Sequence, residues 1–573
     1  MTAAASSPDA SAVRVPKRAD VSEYDLLLER MSTDESSGYD SVEKMATLSI
    51  GEVQAPDEAP NELTFKLSSW RTLWAYAGPG WLMSIAYVDP GNLESDLQAG
   101  AYGGYQLIWV LFGSTVMGFY LQVLAARLGV VTGKNLAEMC TLVYPRWASL
   151  VLWVMTEIAI VGSDIQEVLG SAIAFQILFN FPLWLGFCDL WLAEFRFLLT
   201  TLTRSQITGL DTFTFLALHR YGIRKLEAFF VTLIGVMLVC FCANFVRGGI
   251  DVEGVASGFI PEVKPYAVTQ AVGILGAVIM PHNIFLHSAL VQTRRIDHHN
   301  VRKVAEANKY FAIESGGALF VSFLINLAVL AVFAKGFFSP DCTSSFDSAG
   351  VNTACFPGGK ADGPTYGSCT LANGQSGMCQ GIGLSQAGEA LSGMLGGYAE
   401  TIWAVGLLAA GQSSTMTGTY AGQFVMEGFL NLRLSPWKRV ALTRCVALVP
   451  ALTVAILSEE HPQDSDRMDE FLNVLQSIQL PFALLPVLVF TSSRGIMGDF
   501  ANSIKSIAVG WVLGIVVCII NLYLVVANLS GMDLSALTLS GVLAVGCAYF
   551  WFLAYLVRTD IAIFCRWVRD SLV

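Results

Sequence analysis

The sequence predicts an all-α polytopic membrane protein of about twelve helices, two of them broken in mid-membrane. Three observations carry this. Of 573 residues, 54% are hydrophobic and 14% charged, with a mean hydropathy of +0.55, whereas soluble domains carry about 25% charged residues. Apolar stretches of about 20 residues, long enough to cross a bilayer, recur along the chain. Two of these stretches hold a proline near their centre, in Asp89-Pro90-Gly91-Asn92 and in Met280-Pro281-His282-Asn283. Proline has no backbone N–H and interrupts the helical ladder. Unwound backbone at membrane depth is tolerated only where it is buried in protein or lines a cavity. Interruptions in corresponding places of two halves point to a transporter's binding site.

Residues 1–67 are rich in Ser, Ala, Asp and Glu and are expected to form a disordered cytoplasmic tail. Within it, Glu23-Tyr24-Asp25-Leu26-Leu27-Leu28 matches acidic-dileucine and Tyr-x-x-apolar sorting patterns. An endocytic adaptor is therefore a candidate partner, and a plain apolar cluster is the competing reading. Residues 1–60 hold no apolar core of a cleavable signal. A transporter domain is expected over 68–557, followed by a short cytoplasmic tail, 558–573.

In the first half of the chain, spans are expected near Leu73–Asn92, Leu107–Leu128, Leu150–Ile173, Ala228–Phe245, Val268–Val291 and Ala312–Phe333. In the second half they are expected near Ile402–Gly422, Val440–Leu457, Leu472–Phe490, Ile507–Ala527 and Leu534–Val557. A further span is expected within Pro182–Leu218. The Lys and Arg residues concentrate in alternate short loops, among them Arg220, Arg224, Lys225, Arg294, Arg295, Arg302, Lys303, Lys438 and Arg439. Such loops face the cytoplasm, which puts both termini inside. The formal net charge of −12 lies mostly in the N-terminal tail and the outer loops, and nothing indicates a nucleic-acid partner.

The outer segment 338–383 carries Cys342, Cys355, Cys369 and Cys379. An oxidising compartment favours two disulfides, and four cysteines leave three pairings open. No His or Cys-x-x-Cys pair accompanies them to suggest a metal site.

Asp89 is the strongest candidate site residue. An intramembrane carboxylate is costly and functional by default; a helix-capping Asp at a Pro-Gly kink is the competing reading. Asn92 follows one turn later, so its oxygen can converge with that of Asp89. The Met280 thioether is a soft ligand that favours transition ions over Ca2+ and Mg2+, although Met on an apolar helix is usually packing. Pro281 frees the carbonyl one turn earlier, at Ala277. Histidine ordinarily titrates near neutral pH, so His282 and His287 suit a proton relay, or else are structural. Asp164 and Glu167 share a helix face and, with Arg444, are expected to form a polar proton path or an ion-pair network. The small, polar run Gly411–Tyr420 suits close helix packing, or a path lining.

These motifs, together with the run Gly411–Gly428, resemble the Nramp (natural-resistance-associated macrophage protein) family of proton-coupled divalent metal transporters, closest to its animal members. The resemblance extends from about Phe65 to Val557. It implies the LeuT-like fold of two inverted five-helix repeats plus two helices, with helices 1 and 6 broken. It also implies Asp89, Asn92 and Met280 as metal ligands, with the carbonyls of Ala86 and Ala277 contributing in different states. His282, Asp164, Glu167 and Arg444 would serve proton transfer, and Asn473 or Gln476 is a candidate outer gate. The chain departs from the family at Phe187–Gln206, an insert within helix 4.

The function expected is proton-coupled import of divalent transition-metal ions, Fe2+ and Mn2+ and also Co2+ and Cd2+, by alternating access. No resident cofactor is expected, and the monomer is expected to suffice. The location expected is the plasma membrane, the endosomal–lysosomal membrane or both. A sodium-coupled amino-acid carrier of the same fold would want small residues and bare helix ends at the breaks. A non-transporting metal sensor would be expected to carry a large cytoplasmic domain. No nucleophile–base pair or cofactor motif suggests an enzyme.

Overall fold

The computed structural model describes residues 53–54, 73, 76–179, 223–249, 251–298, 300–343, 352–357, 365–371, 374–431, 463–530 and 536–558. The sorting motif Glu23–Leu28, the span expected within Pro182–Leu218 with its insert, the span Val440–Leu457 with Arg444, and residues 559–573 lie outside them.

The chain runs β1 (Val53–Gln54), α1 (Pro79–Ile85), α2 (Pro90–Gly103), α3 (Ile108–Thr132), α4 (Leu136–Val143) and α5 (Arg146–Phe179). After α6 (Ile223–Gly248) and α7 (Val252–Ser257) come α8 (Val268–Val278), α9 (Pro281–Leu290), β2 (Arg294–Arg295) and α10 (Val301–Phe337). An outer β3 (Ala354–Pro357), β4 (Ser368–Thr370) and β5 (Ser376–Gln380) precede α11 (Leu384–Leu395) and α12 (Tyr398–Leu430). The chain ends with α13 (Gln463–Gln479), α14 (Pro481–Ser492), α15 (Arg494–Met497), α16 (Ile504–Ser530) and α17 (Ala536–Leu556). Among the described residues, eight helical stretches are long and apolar enough to cross a membrane. This is an all-α membrane fold of the LeuT-like class, and its two interrupted helices are α1–α2 and α8–α9.

Both interruptions fall at the expected prolines. Each proline sits at the start of a new helix, where its missing N–H is no loss and its fixed φ suits the first turn. The first span therefore continues to Gly103, beyond the expected Asn92, because Pro90 starts α2. A third interruption lies at Leu480, inside a span the sequence suggested was continuous. There Pro481 leaves the Ser477 carbonyl without its usual donor, and the Asn521 amide of α16 donates to it at 2.8 Å.

The expected small-residue packing occurs between α5 and α12. A Cβ on Gly411 would lie 2.3 Å from Ser171 Oγ, and one on Gly418 would lie 2.9 Å from Asp164 Oδ1. Glycine at these positions leaves room for the α5 side chains, and small residues let the two helices approach closely. The described residues of the four-cysteine segment include a three-stranded antiparallel sheet in the order β3-β5-β4. Of the three pairings the sequence left open, the structure has Cys342–Cys379 and Cys355–Cys369. Side chains tie this region to the broken helices: Glu94 of α2 accepts from Leu384 N at 2.7 Å, and Asn352 donates to Gln270 of α8 at 3.1 Å.

Candidate functional site

Asp89 caps α2. Its backbone is extended, and its Oδ1 accepts the Asn92 N–H and the Asn92 side-chain amide, each at 2.7 Å. The cap reading and the ligand reading of Asp89 are thus compatible, since both capping hydrogen bonds go to Oδ1. Asn92 also donates to the Ala277 carbonyl at 3.0 Å, and its Oδ1 has no partner among the described residues. Pro281 cannot supply an N–H to Ala277, and Pro90 cannot supply one to Ala86. The two breaks therefore present equivalent freed carbonyls. Met280 holds the extended position before Pro281, as Asp89 does before Pro90. All five residues are buried.

Helix α5 flanks this centre. The Met280 sulfur lies 4.0 Å from Ser163 Oγ, which donates to Glu167 at 3.1 Å. Ser163 thus connects the thioether to the α5 acids, one of which, Asp164, borders α12 at Gly418. His282 and His287 are buried on α9, with His287 beside the Gln122 backbone of α3. On another side of this centre, Gln166 of α5 donates to Asn473 Oδ1 at 2.9 Å and accepts from Gln476 at 2.9 Å. Asn473 donates to the Gly91 carbonyl at 3.1 Å. The candidate gate residues are thereby joined to the first break, through a glutamine the sequence reading did not single out.

On the opposite side, α10 supplies three side chains to the first break. Glu314 accepts from the N–H groups of Gly78, Gly80 and Trp81, satisfying donors at the start of α1 and complementing its helix dipole. Ser322 and Asn326 donate to the Ser84 and Tyr87 carbonyls, each at 2.8 Å. Arg294, counted in the sequence among the cytoplasmic-loop charges, is buried, where it pairs with Glu227 and donates to the Ala77 carbonyl at 2.8 Å. A guanidinium this deep needs a carboxylate partner. Glu314 was open to the intramembrane-acid argument within Ala312–Phe333, whereas Arg294 gave no local signal.

A family model described as natural resistance-associated macrophage protein-like matches residues 80–527, which include both breaks. The chain belongs to the Nramp family. A protein named metal transporter nramp1 homolog, from Dictyostelium discoideum, is 51% identical over 80% of this chain and 76% of its own length. The human natural resistance-associated macrophage protein 2 is 46% identical over 92% of this chain and 86% of its own length. The crystal structure of a manganese transporter from Eremococcus coleocola, bound to an aromatic bis-isothiourea compound, superposes with a TM-score of 0.70 at 31% identity. It covers 90% of this chain and 99% of the transporter. The overall fold is thus shared with a manganese transporter of known structure.

Proposed function

We propose that this chain is a proton-coupled symporter that carries divalent transition-metal ions, Fe2+ and Mn2+ and also Co2+ and Cd2+, into the cytosol by alternating access. One observation carries the reading: the Asn92 amide, bonded to the Asp89 carboxylate at the first break, donates to the Ala277 carbonyl at the second break, whose N-cap is Met280. The relatives named as metal transporters support a metal cargo.

Asp89 Oδ2 supplies the charge, Asn92 Oδ1 a neutral oxygen and Met280 a soft sulfur. Ala86 and Ala277 contribute carbonyls in different states. Such a mixed set suits a borderline transition ion better than Ca2+ or Mg2+. A dication and a proton compete for the Asp89 carboxylate, which couples the two species. The proton route uses His282 and His287, then Asp164, Glu167 and Arg444, with Ser163 as the link from Met280. Asn473 and Gln476 close the outer side through Gln166. The transporter domain spans 68–557 and works as a monomer. Both tails are cytoplasmic, in the plasma membrane, the endosomal–lysosomal membrane or both, with Glu23–Leu28 as the adaptor motif.

The test is Mn2+ uptake by cells expressing the chain at about pH 5.5 and about pH 7.4, on either side of histidine's ordinary range. Uptake stimulated by acid and lost in Asp89→Ala is expected. Uptake indifferent to pH would remove proton coupling, and normal uptake by Asp89→Ala would remove the site.

A further inference from the structure

Asn283 is 1% exposed, and among the described residues neither its Oδ1 nor its Nδ2 has a hydrogen-bond partner. Buried amides are satisfied in the great majority of cases, and a desolvated, unpaired one is unfavourable. The cause is visible in the sequence of the two breaks. Each places a residue before proline and an Asn two residues after it: Asp89 with Asn92, and Met280 with Asn283. The Asp89 carboxylate accepts from Asn92. A thioether is a weak acceptor and leaves Asn283 unengaged. The second break therefore keeps a complete amide unused one turn from Met280.

Its direction is also defined. On α9, residues 280, 283 and 287 follow one helical face, so Asn283 lies between Met280 and His287. Leu286 and Leu290 border this face, and they share an apolar cluster with Leu82 and Met83 of α1. One neighbour on this side is α1, a seven-residue helix whose N-terminal end is fixed by polar contacts from Glu314 and Arg294. Displacing α1 would leave Asn283 as the next oxygen beyond Met280 on the Arg294 side.

We propose that Asn283 is a second contact for the transported divalent cation, which its amide oxygen engages after the ion leaves Asp89, Asn92 and Met280 toward the Arg294 side. This rests on the transport reading above. A neutral amide oxygen binds a dication more weakly than a carboxylate and suits a step the ion must leave again. Asn283 therefore acts on passage of the ion and leaves its first capture to the site between the breaks.

The experiment compares Asn283→Leu, Asn283→Asp and Asp89→Ala in the full chain, with Mn2+ as the probe. Mn2+ binding is measured by calorimetry on purified protein, and Mn2+ uptake in proteoliposomes. For Asn283→Leu, the dissociation constant is expected to stay within about twofold while maximal uptake falls about tenfold or more. Asn283→Asp, which restores an oxygen, is expected to recover uptake relative to the Leu variant. Wild-type uptake by Asn283→Leu would overturn the proposal, and so would binding lost in parallel with uptake. If the Leu variant does not fold, Asn283→Ala is read by the same two measurements. Asp89→Ala separates the two readings: unchanged Mn2+ binding there would remove the underlying site whatever Asn283 does.

Discussion

The Asn92 side chain donates to the Ala277 carbonyl across 3.0 Å, so an amide of the first break occupies the acceptor that Pro281 frees at the second. One residue thereby satisfies a backbone group of the other half of the molecule while keeping its own Oδ1 unused. Replacing Asn92 by Ala removes both roles. An unpaired buried carbonyl costs about 1–3 kcal/mol, so thermal unfolding should begin at lower temperature, and Mn2+ uptake should be lost. A variant as stable as the parent would mean that the bridge carries no weight in the fold.

Met280 tests selectivity apart from binding. Met280→Ala should retain partial Mn2+ uptake, because Asp89 and Asn92 remain. Competition by Ca2+ should strengthen by about tenfold, the order of effect of altering a metal's surroundings. The measurement is Mn2+ uptake against a Ca2+ titration, and superimposable curves would sink the thioether argument.

The parts of the site legible in the sequence were those with a local signature. A ligand-type residue beside a proline inside an apolar stretch identified Asp89, Asn92 and Met280, since proline fixes where the ladder opens. The Ala277 carbonyl followed from the same geometry. Gln166, Ser163 and Arg294 act through partners as far as 310, 117 and 217 positions away along the chain, and no periodicity encodes such pairs. The disulfide pairing was hidden for the same reason. The interruption at Leu480 was hidden because Pro481 carries no ligand-type residue beside it, so its purpose shows only when Asn521 meets the Ser477 carbonyl.

Glu314 and Arg294 anchor the N-terminal end of α1. Glu314→Gln removes the charge that faces three N–H groups at the α1 start. A charge-assisted hydrogen bond contributes about 1.5–3 kcal/mol, so displacement of α1 should become about tenfold more frequent. A cysteine at Met83, which is buried, should then react correspondingly faster with a thiol reagent supplied from the Arg294 side. Equal labelling rates with and without Glu314→Gln would show that the carboxylate does not hold α1 closed.

The outer sheet gives a prediction about rank order. Cys342–Cys379 closes a separation of 37 residues and Cys355–Cys369 one of 14. In the chain-entropy account, cross-linking a loop of about 15 residues contributes about 3 kcal/mol, and the longer loop adds under about 1 kcal/mol more. The double variant Cys342→Ser with Cys379→Ser should therefore unfold at lower temperature than Cys355→Ser with Cys369→Ser. The outer pair also holds the ends of a segment whose Asn352 reaches Gln270 on α8, and it precedes the Leu384 N–H bound by Glu94 on α2. Loosening it acts on both broken helices, while the inner pair lies within the sheet. Differential scanning fluorimetry of the two double variants under oxidising conditions checks the order, and addition of reductant to the parent, which opens both bonds, should give a shift at least as large as the larger of the two. The reverse order would mean that contacts inside the sheet, rather than closure of the longer loop, hold this region to α2 and α8.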